Sequence, residues 1–148
     1  MSNSTVTPMQ ERSQTNSLIA ELLEERKEVW SVYCVVAGIE PQKTTESMEE
    51  LIQKFCQLSV DYISLGHFGV YQRILDGKER RQSILQAAER IYPLISRATE
   101  AVLDFNDKYQ KLTPAMILHE LADDLSVVGE HLANRIEWED ELLGEMLA

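Results

Sequence analysis

The chain is short of positive charge. Fourteen Lys and Arg stand against 25 Asp and Glu, a formal net charge of −11 over 148 residues. Phosphate backbones are gripped by Lys and Arg, so this balance argues against nucleic acid as the direct ligand. An acidic domain suits a basic partner, or simply stays in solution. Long apolar runs are lacking too: none approaches the roughly 20 residues of a bilayer span. The start, MSNSTVTPMQERSQ, has neither a basic opening nor an apolar core, so no secretory leader is expected and the protein is placed in the cytoplasm. Cysteine is scarce: Cys34 and Cys56 show no CxxC or Cys/His spacing and read as buried free thiols in a reducing compartment.

The common chemical signatures are missing as well. No Glu-x-x-His occurs, which removes the usual di-metal bundle site. His119-Glu120 opens a zincin-like match, but Asp123 stands where the second His belongs. There is no glycine loop for phosphate and no Gly-x-Ser-x-Gly elbow. The expectation is no enzyme, no metal and no cofactor. Neither strand alternation nor a repeat unit is present.

What remains is amphipathic helix, in an amount that makes one domain with a proper core. Residues 1–15 are polar and read as a flexible tail, with a single helical-bundle domain over 16–148. Helix 1 is expected over 16–37. Leu18, Leu22, Val29, Val32 and Val36 form one stripe and Ile19, Leu23, Trp30, Tyr33 and Ala37 another, a wide face that meets two neighbours. Gly38 and Pro41 end it. Ser47 and Glu50 fit a capping box for helix 2. Asp76-Gly77 is a stop signal, with Asp76 and Glu79 as caps for the next helix. Segments 79–92 and 94–105 make a third helix kinked or split at Pro93. Thr113-Pro114 opens the last helix. That helix carries nine acidic residues and one basic one, so most of the net charge sits on it. The fold class is therefore all-α, an antiparallel four-helix bundle.

Helix 2 holds the most informative stretch, FCQLSVDYISLGHFGVYQRIL, residues 55–75. Leu51, Phe55, Leu58, Tyr62 and Leu65 recur four and three apart and form a core stripe. Beside it run Asp61, Ser64 and Phe68, a carboxylate, a hydroxyl and a ring on one ridge suited to docking. Gly66 and Gly69 each cost about 1 kcal/mol relative to Ala inside a helix, so small size or close approach is wanted there. A plain kink or loop without functional meaning is the other reading, and an unbroken helix over 46–75 stays open beside it. On the last helix, Glu139 falls in register with the apolar stripe. A buried carboxylate needs a partner; Arg26, set between Leu23 and Trp30, is the first candidate and Arg73 the second.

The motif CQLSVDYISLGHFGVYQRIL resembles the signature of the Rsd/AlgQ family of regulators of sigma D. ERK around Arg26, GIEP at 38–41 and GEHLANRIEWEDEL at 129–142 extend the likeness over most of the chain. Two departures stand out: Ala20-Glu21-Leu22 replaces the family's usual Asp-Arg-Trp, and the chain stops soon after Glu139-Asp140. The resemblance implies an anti-sigma factor that binds region 4 of the primary sigma factor and keeps it from the −35 element and core RNA polymerase. Alternative sigma factors would gain in stationary phase. It further implies links to the phosphocarrier protein of the sugar phosphotransfer system, to an alarmone hydrolase and to virulence gene expression. Carried over residue by residue, the partner-binding set is Leu18, Asp61, Ser64, Gly66, His67 and Phe68, in a monomer or weak homodimer. The competing class is a signalling bundle acting through a phosphocarrier, or a phosphotransfer domain on His131. The lysine-glycine that usually follows such a histidine is missing there.

Overall fold

The structure, a computed structural model, describes residues 8–42, 45–110 and 120–147. It is all-α, with no strand among the described residues. Helix α1 spans Pro8–Val36 and α2 spans Met48–Ser64. A π-helical segment, Leu65–Tyr71, continues α2 into the short α3, Gln72–Leu75. Helix α4 spans Gln82–Tyr109 and α5 spans Leu121–Leu147. The expected start at Thr113-Pro114, with Leu118 and His119, lies outside the described residues.

Contacts between side chains give the directions. Tyr33 meets Phe55 while Leu18 and Leu22 approach Gly69 and Gly66, so α1 and the α2–π–α3 rod run antiparallel. Phe55 meets Phe105 and Tyr71 meets Tyr92, which opposes that rod to α4. Arg90 pairs with Glu141, and Lys108 with Glu120, which opposes α4 to α5. Arg26 reaches Glu139 and Tyr33 reaches Leu125, closing the ring between α5 and α1. This is the contact pattern of an antiparallel four-helix bundle.

The ends depend on local chemistry. Gly38, at φ +78°, ends α1 in a Schellman motif: Ile39 N–H donates to Cys34 C=O at 2.8 Å and Gly38 N–H to Val35 C=O at 3.1 Å. Ser47 Oγ accepts from Glu50 N–H at 3.2 Å and caps α2. Gly77, at φ +75°, turns the chain after α3. Neither of the two expected caps closes α4: Arg81 stands at its N-cap with no side-chain cap bond, and Glu79 instead orders the turn just before it. The Glu79 carboxylate accepts from the N–H groups of Arg80 and Arg81, whereas Asp76 accepts from the Gln72 side chain. Burial works against the Glu79 charge, but those donors and the Arg81 guanidinium hold its pKa below the ordinary value.

Two sequence expectations are corrected. Helix α1 begins at Pro8, not at residue 16, so residues 8–15 continue the helix instead of belonging to the tail. Proline suits a first helical position, and the Met, Gln and Arg after it are good helix formers once packing downstream has nucleated the helix. Helix α4 runs through Pro93, so of the two readings, kinked or split, the split one falls. A proline inside a helix costs about 3 kcal/mol. Buried Ile84, Ala88, Ile91, Ile95, Ala98 and Val102 pack on both sides of it, and the exposed ring leaves that packing undisturbed.

Candidate partner-binding site

The site is built on the π segment. Gln72 N–H donates to His67 C=O, five residues back, which is the wider π turn. Its purpose is visible in two tyrosines. Tyr62 and Tyr71 are nine residues apart, roughly two and a half turns of α-helix, which would set them on opposite sides. The wider turn lets both hydroxyls donate to the same buried carboxylate, Glu139.

Glu139 is fully buried and gathers the whole molecule. Arg26 of α1 approaches it at 3.3 Å and pairs with the exposed Asp140 at 2.6 Å. Arg135, four residues earlier on α5 and itself buried, donates to Glu139 at 3.0 Å and to Thr99 Oγ1 of α4 at 3.2 Å. Its guanidinium lies 4.7 Å from the Tyr62 ring centre and 6.0 Å from that of Tyr71. Burial, then the neighbouring Glu139 charge, pushes both tyrosine pKa values well up, so the hydroxyls remain donors. Arg73, the second candidate partner, makes no ion pair here among the described residues. Arg135 was missed by the sequence reading, although its four-residue spacing to Glu139 was a signal for it.

The ridge lies on the outside of this frame. Phe68 is 71% exposed, and His67 meets its ring edge-on with centres 4.8 Å apart. Asp61 is exposed and accepts from Gln57 at 3.0 Å; Ser64, His67 and Leu18 are half-buried. Gly66 points inward. A Cβ there would meet Tyr71 at 3.2 Å and Arg135 and Leu22 at 3.5 Å, so it serves the frame behind the surface. At Gly69 the tight neighbour is Leu65, which a Cβ would meet at 3.2 Å, while Leu18 at 3.7 Å would be in ordinary contact. The residue that replaces the family's Trp, Leu22, is wholly buried, while Ala20 and Glu21 are exposed.

The ridge is acidic across to α1. Burial first, then Asp61, Glu21 and Glu28, raises the Glu25 pKa above its ordinary value. One Glu25 carboxylate oxygen is shielded and has no hydrogen-bond partner. A cation docking at Asp61 would find this second carboxylate beside it. His131 is remote from the ridge, half-buried in a cleft of α4 and α5 with Asp104, Lys108 and Asp124. Among the described residues no group of three His, Cys, Asp or Glu is arranged to hold a metal, and no helix is long and apolar enough to cross a membrane. Cys34 and Cys56 are buried free thiols.

The chain belongs to the Rsd/AlgQ family, regulators of the RNA polymerase sigma(70) subunit, whose model matches residues 1–147. The family is one of regulators rather than of enzymes. Among its relatives, the regulator of sigma D of Yersinia enterocolitica is 36% identical over 140 residues, covering 87% of this chain and 80% of that one. The regulator of sigma D of Yersinia pseudotuberculosis is 35% identical, covering 87% and 79%. That of Salmonella paratyphi B is 35% identical over 135 residues, covering 87% and 81%. No solved structure matches the chain. The resemblance carried by residues 56–75 is thereby borne out.

Proposed function

We propose that this protein acts in the cytoplasm as an anti-sigma factor. It binds region 4 of the primary sigma factor and denies that region both the −35 element and core polymerase. Alternative sigma factors gain access to core enzyme in stationary phase as a result. The observation that carries this reading is Phe68, a large ring left 71% exposed on an acidic ridge in a chain of the sigma-regulator family. A DNA-reading domain is basic, so the field of an acidic ridge steers it in. Phe68 is the apolar anchor, Asp61 the acceptor for an Arg or Lys, and Leu18, Ser64 and His67 flank them. Gly66 contributes from behind by letting the π segment close on Leu22 and Arg135.

The test is calorimetric titration with region 4 of the housekeeping sigma factor at two salt concentrations. Binding is expected to weaken with salt. Phe68→Ala should cost about 2 kcal/mol or more, roughly 30-fold in Kd. Asp61→Ala should weaken binding and flatten its salt dependence. Absence of binding at high micromolar concentrations, or an unchanged Kd for Phe68→Ala, would overturn the proposal.

A further inference from the structure

Phe68 stands on a backbone that needs outside support. It lies in the middle of Leu65–Tyr71, a π-helical stretch of 7 residues. Such turns are rare and hold one residue more than an α turn. The ring that meets Phe68 edge-on, His67, belongs to the same stretch, so the pair goes wherever the stretch goes. Asp61 and Ser64 stand before it, on regular α2. The angle about the axis between Asp61 and Phe68 is therefore set by the width of the turns between them.

Three residues of the stretch are buried, Gly66, Val70 and Tyr71. Gly66 has no side chain, and Val70 packs without a fixed direction. Among the described residues, Tyr71 alone gives the stretch a directional side-chain bond to another helix: its hydroxyl donates to Glu139 of α5. Glu139 does not drift, because Arg135 grips it at 3.0 Å and Arg26 at 3.3 Å. One hydroxyl thus ties the exposed ring to a fixed point in the core. Without it the ordinary α turn becomes the favoured form, each residue advances further around the axis, and Phe68 moves relative to Asp61.

We infer that Tyr71 is a positioning residue of the docking surface. By holding the π turn on Glu139 it sets where Phe68 stands beside Asp61. It thereby sets affinity for the partner while itself remaining buried, only 2% exposed. This inference rests on the anti-sigma reading and adds to it a control point in the core.

The test is calorimetric titration of the full chain with region 4 of the housekeeping sigma factor. Tyr71→Phe keeps the ring and loses the hydroxyl, and its Kd should rise about fivefold or more. Tyr109→Phe is the control for losing a buried tyrosine hydroxyl as such. That hydroxyl donates to Asp124, and Tyr109 lies about 25 Å along α4 from Tyr92, which meets Tyr71. Its Kd should stay within about twofold of wild type. A residue that acts through Phe68 has nothing to position once the ring is gone. Adding Tyr71→Phe to Phe68→Ala should therefore change Kd by less than about twofold. A smaller rise in Tyr71→Phe alone, a matching rise in Tyr109→Phe, or the full loss repeated on top of Phe68→Ala would each overturn the inference and leave the anti-sigma reading standing. A wild-type chain that does not bind region 4 would overturn both together.

Discussion

Glu139 shows how one residue constrains a bundle. It is buried, yet its two oxygens receive Tyr62, Tyr71, Arg26 and Arg135, which together come from three of the four helical rods and reach the fourth through Thr99. Removing one partner of such a group strands the others. Glu139→Ala should therefore cost about 3–5 kcal/mol in urea denaturation. The double change Arg135→Met/Glu139→Leu should recover much of that loss, and a double mutant no better than the single would mean that the buried charge itself stabilises the fold. Glu25 is the opposite case, a carboxyl pushed up by burial and by Asp61, Glu21 and Glu28. A raised carboxyl pKa means that the folded state holds the proton more tightly than the unfolded state. The resulting stabilisation is full below the ordinary value of 4.5 and is lost as pH rises through the folded pKa. Glu25→Gln should accordingly raise Tm at pH 7 and change it little at pH 4. An equal gain at both pH values would remove the electrostatic cause.

At the scale of elements, glycine separates three situations. Gly129 sits where Tyr33 crosses to donate to Leu125 C=O at 2.8 Å, and a Cβ there would fall 1.8 Å from the tyrosine oxygen. Gly66 is tight against Tyr71 and Arg135, groups held by Glu139 and unable to yield freely. Gly144 has open space around it on α5. Helix propensity favours Ala at all three by about 1 kcal/mol. Only Gly144→Ala should realise that gain; Gly66→Ala should lose stability and Gly129→Ala should lose more. Chemical denaturation of the three variants checks the order, and a stabilised Gly66→Ala would show that the π segment relaxes at no cost. The π segment was beyond a reading by 3.6-residue period, because an unbroken helix and a loop at Gly66 and Gly69 fit that pattern equally well. What decides for the π turn is the demand that Tyr62 and Tyr71 share one carboxylate on α5, a contact 68 residues away in sequence.

Across the whole molecule the excess of 11 negative charges repels itself. Salt screens charges beyond about 8–10 Å at moderate ionic strength, while the Glu139 network is buried and little affected. Added sodium chloride should thus raise Tm, even as it weakens binding at the acidic ridge. A Tm that falls with salt would mean that the exposed pairs Arg90–Glu141 and Lys108–Glu120 outweigh the repulsion.

The all-α class, the Gly38 and Gly77 stops, the Ser47 cap and the buried register of Glu139 come from the sequence alone, because each depends on neighbours within a turn or two. The ridge of Asp61, Ser64 and Phe68 is likewise a reading of spacing within about two turns, and both of its ends are exposed. Tertiary structure decided the rest. Packing carries α4 through Pro93, and a carboxylate on α5 pulls Tyr71 around and opens the π turn. Gly66 was drawn from the docking motif but turns inward, since its neighbours Leu22 and Arg135 lie on other helices. Local propensities are worth about 1 kcal/mol, or about 3 for an internal proline, and the summed long-range contacts more, so at Pro93 and at the π turn the distant partners prevailed.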